Sequence, residues 1–216
     1  MHILLTDILR CPRCGPEFGL VLLADAVEER RVAAGRLGCA NCREMYPVAE
    51  GVVDLRVPGR EPLPGGGEVA AGSEEAVRLA ALLGLAEAWG SVLLVGAGAD
   101  LANALASLVP GVEVVHATDA PGASAGGGGV SRVAAGEPLP FAPRSLRGVS
   151  LGPGAAGLLE EGVRVLAPGG RLVVEGAAEG GAEALSGAGL RVLLDQEGWV
   201  VAERPGGAAR GPRETG

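Results

Sequence analysis

Residues 91–100 read Ser-Val-Leu-Leu-Val-Gly-Ala-Gly-Ala-Asp. Four consecutive apolar residues, Val92 to Val95, run straight into Gly96-Ala97-Gly98. A strand that is apolar at every position has no face for water, so it belongs in a parallel sheet covered on both sides. The two glycines permit a tight turn and a close backbone approach. Downstream, the pattern predicts a helix over 100–108 and strands over 112–117, 130–134 and 147–151. A helix over 155–166 stops at Pro168-Gly169-Gly170, and a strand follows over 171–175. A helix over 180–187 precedes two last strands, 189–195 and 198–203, whose tight turn at Glu197-Gly198 makes them antiparallel. Strands alternating with helices predict an α/β fold with a Rossmann-like parallel sheet.

Upstream, Ser73 reads as a helix N-cap, with Glu74 and Glu75 in the first turn where the helix dipole favours anions. Ala76, Leu79, Ala80 and Leu83 keep helical spacing, and the helix is expected to end near Trp89-Gly90. Residues 58–72 are rich in Pro and Gly. The division that follows is a first domain over 1–58, a linker over 59–72, a second domain over 73–204 and a polar, glycine-rich tail over 205–216 expected to be disordered.

The 216-residue chain is 48% hydrophobic but only 2% aromatic, so its core is built from Leu, Val and Ala. A net charge of -8 does not attract a phosphate backbone, so nucleic acid is not an expected partner. No apolar run approaches eighteen residues, so no membrane span is expected. The first residues lack a basic region and a small-residue cleavage site, which argues against a signal peptide. The cytoplasm is the expected compartment.

All four cysteines fall in two C-x-x-C pairs, Cys11-Cys14 and Cys39-Cys42. Each pair offers two thiolates from one turn, and a hairpin over residues 15–38 brings the pairs together. Four such ligands suit a closed, tetrahedral, structural Zn2+ site rather than disulfides or a catalytic metal. Residues 4–14 (LLTDILRCPRC) and 37–55 (LGCANCREMYPVAEGVVDL) resemble the small zinc-ribbon family that activates tRNA, rRNA and release-factor methyltransferases. Tyr46, Pro47, Glu50, Gly51 and Val52 carry the resemblance beyond the cysteines, and it covers residues 3–57. It implies a docking module that works through a protein partner.

Residues 73–203 resemble a class I S-adenosylmethionine-dependent methyltransferase. The resemblance lies in the glycine turn, in 138–151 (PLPFAPRSLRGVSL) and most specifically in 158–176 (LLEEGVRVLAPGGRLVVEG). It implies a cofactor site at Gly96, Gly98 and Asp119, the last holding ribose hydroxyls. Other positions depart from the family pattern. Leu94 stands where an acid meets the cofactor's ammonium, and Asp100 stands where a third glycine belongs. Ala135 replaces an acid near the adenine, and Leu146-Arg147 replaces a Phe-Asp pair. Residues 120–129 (APGASAGGGG) replace a helix. Gly96-x-Gly98 with Asp119 partly fits a dinucleotide fingerprint as well, but Leu101 holds its third glycine position. His116 beside a strand reads as structural. Two readings follow. One is a non-catalytic zinc-binding adaptor with a pseudo-methyltransferase domain; the other is an active methyltransferase with its activator-like ribbon fused in cis.

Overall fold

Val92 to Val95 lie within an 11-stranded mixed sheet, each with no exposure to solvent. The computed structural model describes residues 1–66, 73–86, 89–120, 129–196 and 198–206. The strands are β1 (Val21–Glu28), β2 (Arg31–Gly38), β3 (Met45–Ala49), β4 (Val52–Asp54), β5 (Gly90–Val95), β6 (Val112–Thr118), β7 (Val130–Ala134), β8 (Leu146–Leu151), β9 (Leu166–Glu175), β10 (Arg191–Gln196) and β11 (Trp199–Glu203). The helices are α1 (Ser73–Leu83), α2 (Ala99–Leu108), α3 (Leu159–Val165) and α4 (Gly181–Gly187). The order across the sheet is β1-β2-β3-β4-β7-β6-β5-β8-β9-β11-β10. From β4 to β9 neighbours are parallel, and the strands beyond them on both sides are antiparallel. No described helix is long and apolar enough to cross a membrane.

The side-chain period of two divides β5 between two cores. Val92 and Leu94 pack with Leu79 and Leu83 of α1 and with Leu101 and Leu105 of α2. Leu93 and Val95 face the other way, with Val165 of α3 and Leu185 of α4. Each fully buried Leu or Val contributes about 1.5–3 kcal/mol of transfer free energy, which is why this run needs no polar position.

The strands next to the cysteine turns extend the same sheet. β4 pairs with β7, Val53 opposite Val133, and the Leu55 N–H donates to the Ala134 carbonyl at 2.7 Å. The expected boundary between halves is thus crossed by a hydrogen-bonded ladder that satisfies the outer edge of β7. The leader crosses it too. The Arg10 N–H donates to Pro140, the Ala142 N–H donates to Ile8, and Leu5 and Leu9 are buried in the core that holds Phe141.

The two most specific motifs of the second half bind each other. Glu161 accepts from Arg164 Nε and Nη2 at 2.8 and 2.7 Å and from the Leu139 N–H at 2.8 Å. Arg164 also donates to the carbonyls of Phe141 and Leu139. The Glu-x-x-Arg turn therefore clamps the Leu-Pro-Phe segment to α3.

The expected hairpin over 15–38 is formed by β1 and β2, whose turn, with Glu29 and Arg30 at φ 46° and 66°, sets Glu28 opposite Arg31. That is the left-handed turn a two-residue hairpin demands. Some boundaries differ from expectation. α1 ends at Leu83 and not near Trp89-Gly90, because Gly84 enters the left-handed region at φ 66°. β9 begins at Leu166, through Pro168-Gly169-Gly170, because Gly169 and Gly170 exchange backbone bonds with Arg204. Most of the tail expected to be disordered, residues 207–216, lies outside the described residues, as do 121–128.

Candidate functional site

The two cysteine pairs sit in matched turns. The Gly15 N–H donates to the Cys11 carbonyl at 3.0 Å, and the Arg43 N–H donates to the Cys39 carbonyl at 2.9 Å. Gly15 and Arg43, each directly after its second cysteine, have φ 96° and 62°. The hairpin β1–β2 carries the chain from one turn to the other. All four Sγ atoms lie within 4.8 Å of one another, Cys11 to Cys42 at 3.7 Å and Cys14 to Cys39 at 3.8 Å. Sulfurs bound at about 2.3 Å around a tetrahedral ion stand roughly 3.8 Å apart, so the cluster can hold a metal ion.

Donors surround the sulfurs. The Tyr46 hydroxyl is 3.4 Å from Cys11 Sγ, and Asn41 Nδ2 is 3.3 Å from Cys14 Sγ. Arg13 of the first turn is ion-paired with Glu44, just past the second. Burial raises the Cys11 thiol, but hydrogen bonds from Tyr46 and from the backbone of Cys14 and Arg13 bring it down to about 7. At Cys42 a backbone bond from Glu44 favours the thiolate, yet burial and the three neighbouring thiols push it up to about 12. Four adjacent sulfurs ionise together only around a cation.

The second candidate is the crevice at the C-terminal ends of the parallel strands, where doubly wound sheets bind ligands. Gly96 turns at φ 72°, and a Cβ there would meet the Pro153 carbonyl oxygen at 3.0 Å. Gly98 precedes α2 without a side-chain cap. Leu94, in the missing acid's place, is wholly buried in the α1–α2 core and does not reach the crevice. Asp100 is exposed in the first turn of α2. Asp119 follows the end of β6, and its backbone carbonyl accepts from Arg56 at 3.3 Å. Ala135 is fully buried and Arg147 donates to the Gly169 carbonyl, a structural task. His116 Nε2 lies 2.9 Å from the Ala97 carbonyl, and burial holds its pKa low.

The expected linker is described only to Gly66, and that part is docked. Pro62 bridges to Gly136, Glu61 accepts from the Glu137 N–H at 2.8 Å, and Leu63 is buried. Gly65 passes Thr118 at the end of β6. Gly66 sits directly on the glycine turn: a Cβ there would fall 2.0 Å from the Ala97 carbonyl carbon and 2.3 Å from the Gly98 nitrogen. Residues 61–66 thus cross the ends of β7, β6 and β5. Beside them a cavity of about 200 Å3 remains, lined by Glu75, Arg78, Ser150, Glu175 and Trp199 among others. Neither the docked segment nor the cavity was foreseen. Glu75 and Glu175 read in sequence only as a helix start and a strand end.

No protein family and no curated protein matches the sequence. Solved structures do match in fold. The [4+2]-cyclase SpnF is 12% identical with a TM-score of 0.50, over 70% of this chain and 88% of that one. The fold is Rossmann-like. The precorrin-6y C5,15-methyltransferase from Geobacter metallireducens GS-15 matches at 18% identity and a TM-score of 0.48, over 66% of this chain and 94% of that one. The antibiotic-resistance methyltransferase Kmr matches at 18% and 0.45, over 68% of this chain and 100% of that one. At such identities the likeness concerns the fold alone. A shared fold leaves function to the site.

Proposed function

We propose that this chain is a non-catalytic adaptor or subunit: a structural Zn2+ site organises its first half, and the methyltransferase-like half serves as a scaffold. One observation carries the reading: Gly66 occupies the space against the Ala97–Gly98 peptide that a cofactor approaching the glycine turn would need. Leu94, buried and apolar, leaves the ammonium of S-adenosylmethionine without a carboxylate from β5. Zn2+ is the ion of choice because four thiolates at tetrahedral spacing are its structural ligand set. The paired cysteines suit a reducing compartment, hence the cytoplasm.

The adaptor role draws support from the surface of the cysteine-bearing half. Of ten exposed large hydrophobics among the described residues, six (Leu4, Phe18, Val21, Leu23, Val27, Met45) fall in the first 45 residues. Val21, Gly38 and Met45 are register neighbours across β1, β2 and β3, with the Met45 sulfur lying over Gly38. Such a row supports the reading of a protein-binding face. The division into modules 1–58 and 73–204 joined by 59–72 belongs to this proposal. The second reading, an active methyltransferase with the ribbon in cis, draws on the cavity beside the glycine turn and on Gly96, Gly98 and Asp119. Calorimetric titration with S-adenosylmethionine separates the two. The expected result is no binding at tens of micromolar cofactor; a dissociation constant at or below that level makes the chain a methyltransferase candidate.

A further inference from the structure

The four sulfurs of the cysteine cluster sit in unequal surroundings. Cys11 is 1% exposed and belongs to the core that holds Leu5, Leu9 and Leu37. Its sulfur accepts from the backbone N–H groups of Arg13 and Cys14, and the Tyr46 hydroxyl lies 3.4 Å away. Cys39 is buried as well. Cys14 is half-buried and has the Asn41 side-chain amide at 3.3 Å. Cys42 alone of the four is exposed. Apart from the neighbouring sulfurs, only the Glu44 backbone N–H reaches its sulfur among the described residues.

Tyr46 is the chain's one tyrosine and is 3% exposed. It stands on β3 opposite Leu37, and both are part of the core. Among the described residues its hydroxyl has a single partner, Cys11 Sγ. A buried hydroxyl without a bond is costly. A metal-bound thiolate can only accept, so the phenol O–H donates and Cys11 receives. Four thiolates leave two negative charges in excess around a divalent ion. A hydrogen bond to an ionised sulfur draws off part of that charge. Cys11, with three donors, is left with the least. Cys42 keeps more, and it is the sulfur that a proton, a chelator or an electrophile can reach.

We infer that ligand exchange and covalent modification at this cluster begin at Cys42, while Tyr46 holds Cys11 as the fixed inner ligand. The inference rests on the structural Zn2+ reading given above. Cys42 is the first to release the ion, its sulfur taking a proton from water or a carbon from an electrophile. Cys11 stays tied through Tyr46 to β3, so the ion can be lost to solvent and regained without unpacking the core. Tyr46 is thus a positioning residue, and Cys42 is a modification site for soft carbon electrophiles.

The test treats the zinc-loaded full chain with substoichiometric iodoacetamide. Peptide mass spectrometry reads the labelled cysteine, and a chromophoric chelator reads released zinc. In the reaction the Cys42 sulfur attacks the CH2 carbon, iodide leaves and a thioether forms. The expected result is a first label at Cys42, with zinc appearing as that label forms. Tyr46→Phe keeps the ring and removes only the hydroxyl. It is expected to weaken zinc binding about tenfold or more, as the loss of partners to metal ligands does elsewhere. In the cobalt(II)-substituted protein the same variant is expected to move the sulfur-to-cobalt charge-transfer band to lower energy, a change that repacking of the ring would not produce. Purified protein without metal in elemental analysis overturns the zinc reading and this inference together. With zinc bound, first labels spread evenly over the four cysteines, or falling on Cys14, overturn the inference alone. So does a Tyr46→Phe cobalt spectrum identical to that of the wild type.

Discussion

Arg164 illustrates how one side chain can hold a fold that its neighbours only outline. It makes four hydrogen bonds, two to Glu161 and two to the carbonyls of Leu139 and Phe141, with 24% of its side chain exposed. Charged hydrogen bonds contribute about 1.5–3 kcal/mol each when their loss strands a partner. Glu161 would keep only the Leu139 N–H, but its partial exposure lets water compensate in part. Arg164→Met is therefore expected to cost about 2–3 kcal/mol in urea unfolding; a loss below half of that would show the clamp to be incidental. Glu175 works in the opposite direction. Its carboxyl is raised in the folded chain by burial and then by Glu75, so the native state holds the proton more tightly than the unfolded state does. That contribution is present in acid and is lost as pH rises through the folded value. Glu175→Gln is expected to be more stable than the wild type at neutral pH, with the difference vanishing in acid; urea midpoints at the two pH values measure it. The motif residues were legible in sequence because Glu-x-x-Arg and C-x-x-C are local patterns. Ser150, Glu75 and Glu175 were not, since they meet only through the packing of α1 on β8 and β9.

At the scale of elements, periodicity located the parallel strands and the helices that cover them, because burial on one or two faces writes itself into spacing. It did not show where the Pro- and Gly-rich stretch after residue 58 goes. Such a composition gives the same sequence signal whether the backbone is free or docked, and here its polar groups are met by Ala135 and Glu137 across the strand ends. Gly66 supplies the test. An alanine there places a methyl carbon inside the Ala97–Gly98 peptide, a clash with backbone that no rotamer relieves. Gly66→Ala should lift residues 61–66 from the crevice while leaving the sheet folded. Limited proteolysis read by mass spectrometry should show much faster cutting within 59–66 than in the wild type, with far-UV circular dichroism unchanged. Equal cutting rates would mean that the segment is not held by this contact.

At the scale of the whole molecule, the question is how far the influence of the cysteine cluster reaches. Two separate modules are the natural expectation, since the zinc-ribbon resemblance ends near residue 57 and the α/β pattern begins at 73. Three contacts couple the two. β4 continues the parallel ladder of β7, the leader's Ile8 and Arg10 bond to 140–142, and one apolar core contains Cys11, Cys39, Tyr46 and Leu55 together with Leu93, Val115 and Phe141. Loss of the ion would leave the sulfurs to share protons, loosen both turns and so free β2 to β4 from the edge of β7. Structural zinc supplies on the order of 10 kcal/mol of apparent folding energy in zinc-finger peptides. If about 3 kcal/mol of that reached the shared sheet, the unfolding midpoint of a chain this size would fall by roughly 6–12 °C. Removing the ion with a chelator, or replacing Cys39 with Ser, is therefore expected to shift one calorimetric transition as a whole, with elemental analysis falling from one zinc per chain to none. Two transitions, of which only the lower responds to the chelator, would mean that the strands next to the cysteine turns melt alone and that β4 adds nothing to the stability of β7.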